Sequence, residues 1–349
     1  MPQVINLKGT HYEQGVQEGK LLAKEIQVNC DFVRKSLEEK KINKSKYADF
    51  LAQNAAFMKE NQNDLYSEME GIAKGSGISW QEILELNIPA YFMSSSFTQE
   101  CSQLLVRGKA TADGHTYIIK NRDLSWRLDQ ALIHREYPNG LKVTESSGMG
   151  TLTYPGAGIN SYGLAASTTG SWPKSIKPDL SLASKTSIFI NIRLILDQCK
   201  TAKEAVEYVK SSPRMNGINL LIADSNDAFA VEVTKDEIDV QAAGDDGILF
   251  RTNHYMSEKF SPLNDKNYAS TFYRAERIKE LTEKIAGKFR FQDLFKIMSD
   301  HENGINSICR HPQGDIKTST ISTTLVSIED KEVWLTPGNP CEHIQQSSL

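Results

Sequence analysis

Apolar residues recur at roughly helical spacing from Gly9 to Cys30, at Tyr12, Val16, Leu21, Leu22 and Ile26. That period predicts an amphipathic helix. Lys44 to Met69 carries few β-branched residues and many Ala, Glu, Gln and Lys, which predicts a second helical stretch. Gly75-Ser76-Gly77 breaks the pattern. Ser79-Trp80-Gln81-Glu82 is a capping box and predicts a short helix from Trp80 to about Asn87, stopped by Pro89. Ser94-Ser95-Ser96 predicts an exposed, flexible stretch before Cys101.

At Cys101 the period changes. Leu104-Leu105-Val106 leads to Asp113-Gly114, a strong two-residue hairpin signal, and Thr116-Tyr117-Ile118-Ile119 reads as the returning strand. Further strands are predicted at Lys142–Glu145, Leu164–Thr168, Asn219–Ala223, Ala228–Val233, Ile248–Thr252, Thr320–Ile328 and Glu332–Thr336. Helices are predicted through Ile188–Cys199, after the capping box Thr201-Ala202-Lys203-Glu204, and over Thr271–Ile285 and Phe291–Met298. The chain therefore divides into a helical N-terminal segment, 1–100, and a strand-rich body, 101–349. Runs of adjacent hairpins imply largely antiparallel sheets with helices packed outside.

Composition narrows the partners. The 349 residues include 40 Lys and Arg against 44 Asp and Glu, a formal charge of −4. Nucleic acid is not the expected partner, because phosphate binding needs a concentrated basic face. No apolar run reaches the ~18 residues of a membrane span, and the N-terminus lacks a signal-peptide pattern. A soluble cytoplasmic protein without a membrane partner is the expectation. The five cysteines, Cys30, Cys101, Cys199, Cys309 and Cys341, are odd in number and form no CxxC pair. A disulfide framework or a zinc ribbon is not expected, and neither is a metal.

The candidate chemistry starts at Cys101, which opens the first strand of the body. A cysteine at a chain terminus can use its own α-amino group, of reference pKa ~8, to accept the thiol proton. That design requires a cut between Glu100 and Cys101. Lys120-Asn121-Arg122-Asp123 ends the returning strand, so Asp123 should lie near the start of the strand carrying Cys101. Asp123 could hold the new ammonium group there, and Arg122 could favour thiolate. A solvated charge cluster at a strand end is the bland alternative. The turn from Gly158 to Leu164, with Asn160 and Tyr162, could aim backbone N–H groups at an oxyanion, or could be an ordinary tight turn. Asn219 heads an otherwise apolar strand and could donate to an oxyanion or satisfy neighbouring backbone. Arg310, in Ser307-Ile308-Cys309-Arg310-His311-Pro312, could bind a carboxylate or be exposed. His254 reads as a structural histidine.

Taken in order, these pieces resemble the acyl-coenzyme A:6-aminopenicillanic acid acyltransferase family. This is a branch of the N-terminal-nucleophile hydrolases, related to bile-salt and penicillin V amidases. The likeness runs from Gly9-Thr10-His11-Tyr12-Glu13-Gln14-Gly15 through Cys101 and Asn121-Arg122-Asp123. It continues with Gly158 to Leu164, Asn219 to Asp224, Asp300-His301-Glu302 and Ser307 to Pro312, and ends at Trp334 to Cys341. The resemblance implies a four-layer αββα fold of the α+β class. It implies a precursor cut into a helical α chain and a β chain starting at Cys101, the two staying associated. It further implies Cys101 as self-cleaving residue and nucleophile, Asp123 as the carboxylate orienting the α-amino group, Asn219 as oxyanion donor and Arg310 as the C-terminal functional arginine. Arg122, Asn160 and Tyr162 are candidates for substrate contact. The expected activity is hydrolysis or acyl transfer at linear amide C–N bonds of a small molecule. No cofactor is required, and acyl-coenzyme A enters only as an acyl donor.

One departure stands out. The penicillin acyltransferases have glycine before the cysteine, where this chain has Glu100. Glycine more readily adopts the strained geometry that exposes the preceding carbonyl, so Glu100 predicts slower cleavage. Two rival readings keep the sequence features: an unprocessed thiol hydrolase with His301 or His311 as base, and a non-catalytic binding protein that stays intact.

Overall fold

The computed structural model describes residues 3–39, 41–88, 99–125, 128–152, 155–171, 180–185, 192–285 and 287–342. The Ser94–Ser96 stretch, Pro89 and the predicted helix start at Ile188 lie outside them. The chain opens with a strand the helical periodicity did not announce, β1 (Gln3–Lys8). Thr10 then caps α1 (His11–Leu21), with Glu13 reaching back to the Thr10 backbone. The predicted single helix to Cys30 is broken near Leu22, where α2 (Ala23–Glu39) begins. Asn43 caps α3 (Lys44–Asn61), and α4 (Asn63–Ser76) ends at Gly77 in the left-handed conformation. Ser79 caps α5 (Trp80–Asn87) as its sequence predicts.

Helices α1 and α4 approach through glycine. A Cβ on Gly15 would sit 2.1 Å from the Glu68 carbonyl oxygen, and one on Gly71 would sit 2.3 Å from that of Tyr12. No side chain fits at either position. The five helices bury Leu22, Ile26, Leu65, Met69 and Ile72 in one core with Ile5, Ala131 and Ile133.

The body holds two sheets. One has eight strands in the order β1-β4-β5-β6-β7-β8-β9-β10. These are β4 (Gln130–Glu136), β5 (Lys142–Gly148), β6 (Pro155–Asn160), β7 (Ala165–Gly170), β8 (Ile218–Ala223), β9 (Ala228–Val233) and β10 (Ile238–Ala242), with β1 beside β4. The other runs β11-β2-β3-β12-β13, with β2 (Gln99–Val106), β3 (Tyr117–Leu124), β11 (Ile248–Arg251), β12 (Ser319–Ser327) and β13 (Glu332–Pro337). Every pair is antiparallel except β1 with β4. The N-terminal segment is thus also an edge strand of the eight-stranded sheet, not helices alone.

Three apolar seams define four layers. Helices α6 (Ile192–Gln198) and α7 (Ala202–Ser211) cover the outer face of the large sheet through Ile195, Leu196 and Val209. Leu105, Ile118 and Val326 meet Ala157, Ile159 and Leu221 between the sheets. Helices α8 (Ala269–Ile285) and α9 (Phe291–Met298) cover the smaller sheet through Ile278, Leu294 and Met298. This is a four-layer αββα architecture of the α+β class, as the resemblance implies. Among the described residues no helix is long and apolar enough to cross a membrane.

The β2–β3 connection is not the two-residue hairpin that Asp113-Gly114 suggests. Val106 pairs with Tyr117, and a 3₁₀ turn at Gly108–Ala110 lies in the loop between them. Asp113 caps the backbone N–H of His115 at 3.0 Å inside that loop. The turn chemistry was real, but it closes a longer loop.

Candidate active site

The sandwich interior is apolar at one end and polar at the other. Beyond Leu105 and Ile118, successive inward positions become Gln103, Lys120, Ser322 and Thr324. They meet the opposite sheet by hydrogen bonds: Gln103 with Ser167, Lys120 Nζ donating to the Gly156 carbonyl (3.0 Å), Ser322 to Gln130 (3.0 Å), and Thr324 with Ser146 (2.7 Å). Gln103 Nε2 and Gln130 Nε2 are buried there without a partner among the described residues. Cys101 opens this polar end. It pairs with Arg122, one step from the register pair Glu100 and Asp123. Side chains alternate along a strand, so Cys101 shares the inter-sheet face with Gln103, Lys120 and Arg122. Glu100, Ser102, Asn121 and Asp123 point to the other face, where α8 and α9 pack.

On that second face a buried charge cluster surrounds the Glu100–Cys101 peptide bond. The Glu100 carboxylate pairs with Arg274 (3.1 Å) and with Arg310, and accepts from Ser270 (2.6 Å). Arg274, on α8, also donates to the Cys101 carbonyl (2.5 Å), Ser102 Oγ (3.0 Å) and Asn253 Oδ1 (2.9 Å). The Cys101 N–H donates to the same Asn253 oxygen at 2.8 Å. Asn253 follows β11, whose register with β2 pairs Arg251 with Gln103. Continuing that antiparallel register brings Asn253 opposite Cys101. Asp123 accepts from Thr320 at 2.7 Å, and its second oxygen has no partner among the described residues.

The electrostatics follow from burial. Burial pushes the Glu100 carboxyl up, but Arg274 and Arg310 outweigh it and hold the group below its ordinary range. Burial lifts Asp123 to about 6, against the pull of the same two arginines. The Cys101 thiol is raised by burial, with Lys120 the cation that opposes this most. Burial lowers Lys120 to about 8. An uncleaved chain at neutral pH therefore holds a protonated thiol beside a lysine able to give up its proton.

The residues singled out by sequence fall into three groups. Cys101, Glu100, Arg122, Asp123 and Arg310 come together. Asn219 lies behind them: its Nδ2 donates to the carbonyls of Thr252 (3.1 Å) and His254 (3.0 Å), bracing the segment that presents Asn253. Asn160 and Tyr162 are elsewhere. The Asn160 amide donates to Leu196 and Cys199 carbonyls on the outer helix layer, and its oxygen accepts from Tyr162 and Leu164 N–H. Tyr162 is 53% exposed. The Ser161 carbonyl meets Lys331 in the β12–β13 turn, the end of the sandwich away from Cys101. The turn is thus an Asx-stabilised corner with its polar groups already satisfied, which leaves it nothing to offer a substrate at Cys101.

Sequence reading missed Arg274, Asn253 and Lys120 as members of the cluster. Arg274 sits in a helix with an ordinary charge pattern, and only the fold turns it inward. Lys120 and Asn253 stood in polar clusters already noticed, Lys120-Asn121-Arg122-Asp123 and Arg251-Thr252-Asn253-His254. Strand alternation could have put Lys120 on the Cys101 face. His254 contacts the Thr252 and Thr271 hydroxyls, and burial lowers it to about 4. His301 and His311 face each other at 3.1 Å, beside Cys309 and Cys341 rather than Cys101.

Residues 110–342 match the family described as acyl-coenzyme A:6-aminopenicillanic acid acyl-transferase; Cys101 precedes the matched span. Among solved structures, a mutant of conjugated bile acid hydrolase from Clostridium perfringens is 13% identical. The likeness covers 68% of this chain and 89% of that one, with a TM-score of 0.45. Penicillin V acylase from Agrobacterium tumefaciens is 16% identical over 68% of this chain and 84% of its own, with a TM-score of 0.42. The match over two-thirds of the sequence identifies this chain as a member of the acyl-coenzyme A:6-aminopenicillanic acid acyltransferase family.

Proposed function

We propose that this chain is an N-terminal-cysteine amidohydrolase or acyltransferase. It acts on linear amide C–N bonds through an acyl-enzyme on Cys101, formed after self-cleavage between Glu100 and Cys101. The observation that carries the reading is the concentration of buried charge on one peptide bond. Arg274 and Arg310 grip Glu100, Asn253 takes the Cys101 N–H, and Arg274 takes the Cys101 carbonyl. Burying that many ionic groups around an ordinary strand residue is costly, and a packed apolar cluster would do as well for stability.

Cleavage begins before any free α-amine exists, so the thiol proton needs another acceptor. Lys120, lowered to about 8 by burial, supplies it. The thiolate attacks the Glu100 carbonyl carbon, the C–N bond breaks, and the Cys101 amine leaves with a proton. Water then hydrolyses the resulting thioester, giving a Glu100 carboxylate and a free Cys101 thiol. The new α-ammonium lies beside Asp123 and lowers its pKa, so that Asp123 ionises and orients the group. Arg274 and Arg310 oppose the ammonium charge and keep the neutral amine accessible near neutral pH.

In turnover that amine takes the thiol proton. The thiolate attacks the substrate amide, and the amine leaves with the proton returned by Cys101. Water or an acceptor amine, with acyl-coenzyme A as an alternative acyl donor, completes the cycle at the thioester. Asn219 donates to the oxyanion in this scheme, which requires the 252–254 segment to release one of its two amide contacts after cleavage. The helical segment and the body remain associated as α and β chains through the β1–β4 pairing and the shared core. Incubation with a panel of N-acyl amides, with amine release followed, tests the reading. Turnover by the wild type and none by Cys101→Ala supports it; equal release by Cys101→Ala rejects it.

A further inference from the structure

Away from the Glu100 cluster, four metal-binding side chains converge at the C-terminal edge of the smaller sheet. His301 comes from the loop after α9. Cys309 and His311 come from the loop before β12, and Cys341 from a 3₁₀ turn after β13. Cys309 Sγ and Cys341 Sγ lie 3.7 Å apart, Cys341 Sγ and His311 Nε2 3.4 Å, Cys309 Sγ and His311 Nε2 3.9 Å, and His311 Nε2 and His301 Nε2 3.1 Å. All four ligand atoms fall within 4.8 Å of one another.

Those separations can be compared with a tetrahedron. Zinc binds thiolate at about 2.3 Å and imidazole at about 2.0–2.1 Å. Tetrahedral angles then place S and S about 3.8 Å apart, S and N about 3.6 Å, and N and N about 3.3 Å. Four of the six edges, those among Cys309, Cys341 and His311 and that between the two histidines, lie within about 0.3 Å of these values, and the two from His301 to the thiols are within 4.8 Å. Two histidines that meet Nε2 to Nε2 can do so by sharing a proton or by sharing a metal, and only the second also explains two thiols at the same point. A supporting hydrogen bond is in place: Asn339 Nδ2 donates to Cys309 Sγ at 3.4 Å and to the Arg310 carbonyl at 2.6 Å.

We propose that His301, Cys309, His311 and Cys341 bind one zinc ion in a closed, tetrahedral, structural site. Four protein ligands leave no open position, so the ion takes no substrate. Mixed thiolate and imidazole donors select zinc over hard cations such as magnesium and calcium. The site ties three chain segments together where no regular strand pairing does. It fixes the backbone on both sides of Arg310, whose guanidinium reaches Glu100. The sequence spacing hid it, because one Cys-x-His pair and two distant ligands do not form a contiguous zinc motif.

The test uses the full-length chain without a histidine tag. Metal content is measured by plasma mass spectrometry on wild type, His301→Ala and Cys341→Ser. About one zinc per wild-type chain is expected, with loss of that zinc in both variants. His301 is exposed, so its replacement leaves the core intact. A second measurement needs no variant. Zinc should be released to a chromophoric chelator when the thiols are modified, and a cobalt-substituted chain should show thiolate-to-cobalt charge-transfer and tetrahedral d–d bands. Wild-type protein that is folded, metal-free and takes up no added zinc overturns the proposal. So does a Cys309–Cys341 disulfide in the protein as isolated, or zinc content unchanged in both variants.

Discussion

The clamp between the helical segment and the body gives the sharpest energetic prediction. Glu68, on α4, pairs with Arg135 of β4 (2.5 Å), Arg193 of α6 (3.0 Å) and His11 of α1 (2.9 Å), all but His11 fully buried. Glu145, Glu18 and Asp197 extend the network around the two arginines. Burial alone would raise the Glu68 carboxyl, but Arg135 and Arg193 overcome it and bring it down to about 2. From an ordinary value of ~4.3, at about 1.4 kcal/mol per pH unit, that is worth about 3 kcal/mol. Removing one partner of a buried pair independently suggests 3–5 kcal/mol, on the order of the same figure. Glu68→Gln should therefore destabilise the chain by about 3 kcal/mol. The assay is urea unfolding on a Cys101→Ala background, so that one uncut chain unfolds. The sign can be checked by pH. A carboxyl lowered on folding contributes fully above its unfolded value and loses that contribution as pH falls through its folded value. As pH falls through the carboxylate range, the difference between the two proteins should shrink below about pH 4. A difference under about 1 kcal/mol at pH 7 would refute the reasoning, because it would mean the buried network does no more than offset its own desolvation.

Three smaller predictions follow from individual contacts. Gly15→Ala places a methyl 2.1 Å from the Glu68 carbonyl and should cost about 1–3 kcal/mol, or more if α1 cannot shift, read by the same unfolding assay. Lys120→Met removes the cation that most favours the Cys101 thiolate; alkylation of Cys101 at pH 8, followed by peptide mass, should be slower than in the wild type. His254, already lowered to about 4, stays neutral across pH 5–8, so His254→Gln should leave the shape of the pH–rate profile unchanged over that range.

Periodicity and caps carried most of the element assignments. Thr201 with Glu204 and Ser79 with Glu82 mark helix starts that the structure reproduces. Strands β8, β9, β12 and β13 begin and end within a residue or two of their apolar runs. The elements that escaped had only short or interrupted runs. β4 carries Gln130, His134 and Arg135 because Arg135 is neutralised by carboxylates from other elements, which no local pattern reveals. β6 reads as a Gly-rich turn because Gly156 and Gly158 face neighbours too close for a side chain. At the site, one-dimensional order found Cys101, Asp123 and Arg310, which stand in recognisable motifs. It did not find Arg274 or the Cys309, His311, Cys341 and His301 cluster, since each depends on a long-range approach that spacing does not encode. Asn160 shows the same limit: an amide at a Gly-rich corner looks the same in sequence whether it serves a ligand or bonds its own surroundings, as it does here to Leu196, Cys199, Tyr162 and Leu164.

The central claim is that Cys101 cuts the chain before it and becomes the terminal nucleophile, and intact mass under denaturing conditions tests it most directly. The account predicts that the 39.1 kDa wild type resolves into two chains of about 11 and about 28 kDa, in proportion to 100 and 249 residues. The larger should begin at Cys101, and Cys101→Ala should remain whole. A wild type that stays at 39.1 kDa through prolonged incubation, while still releasing amine from an N-acyl amide, would contradict it.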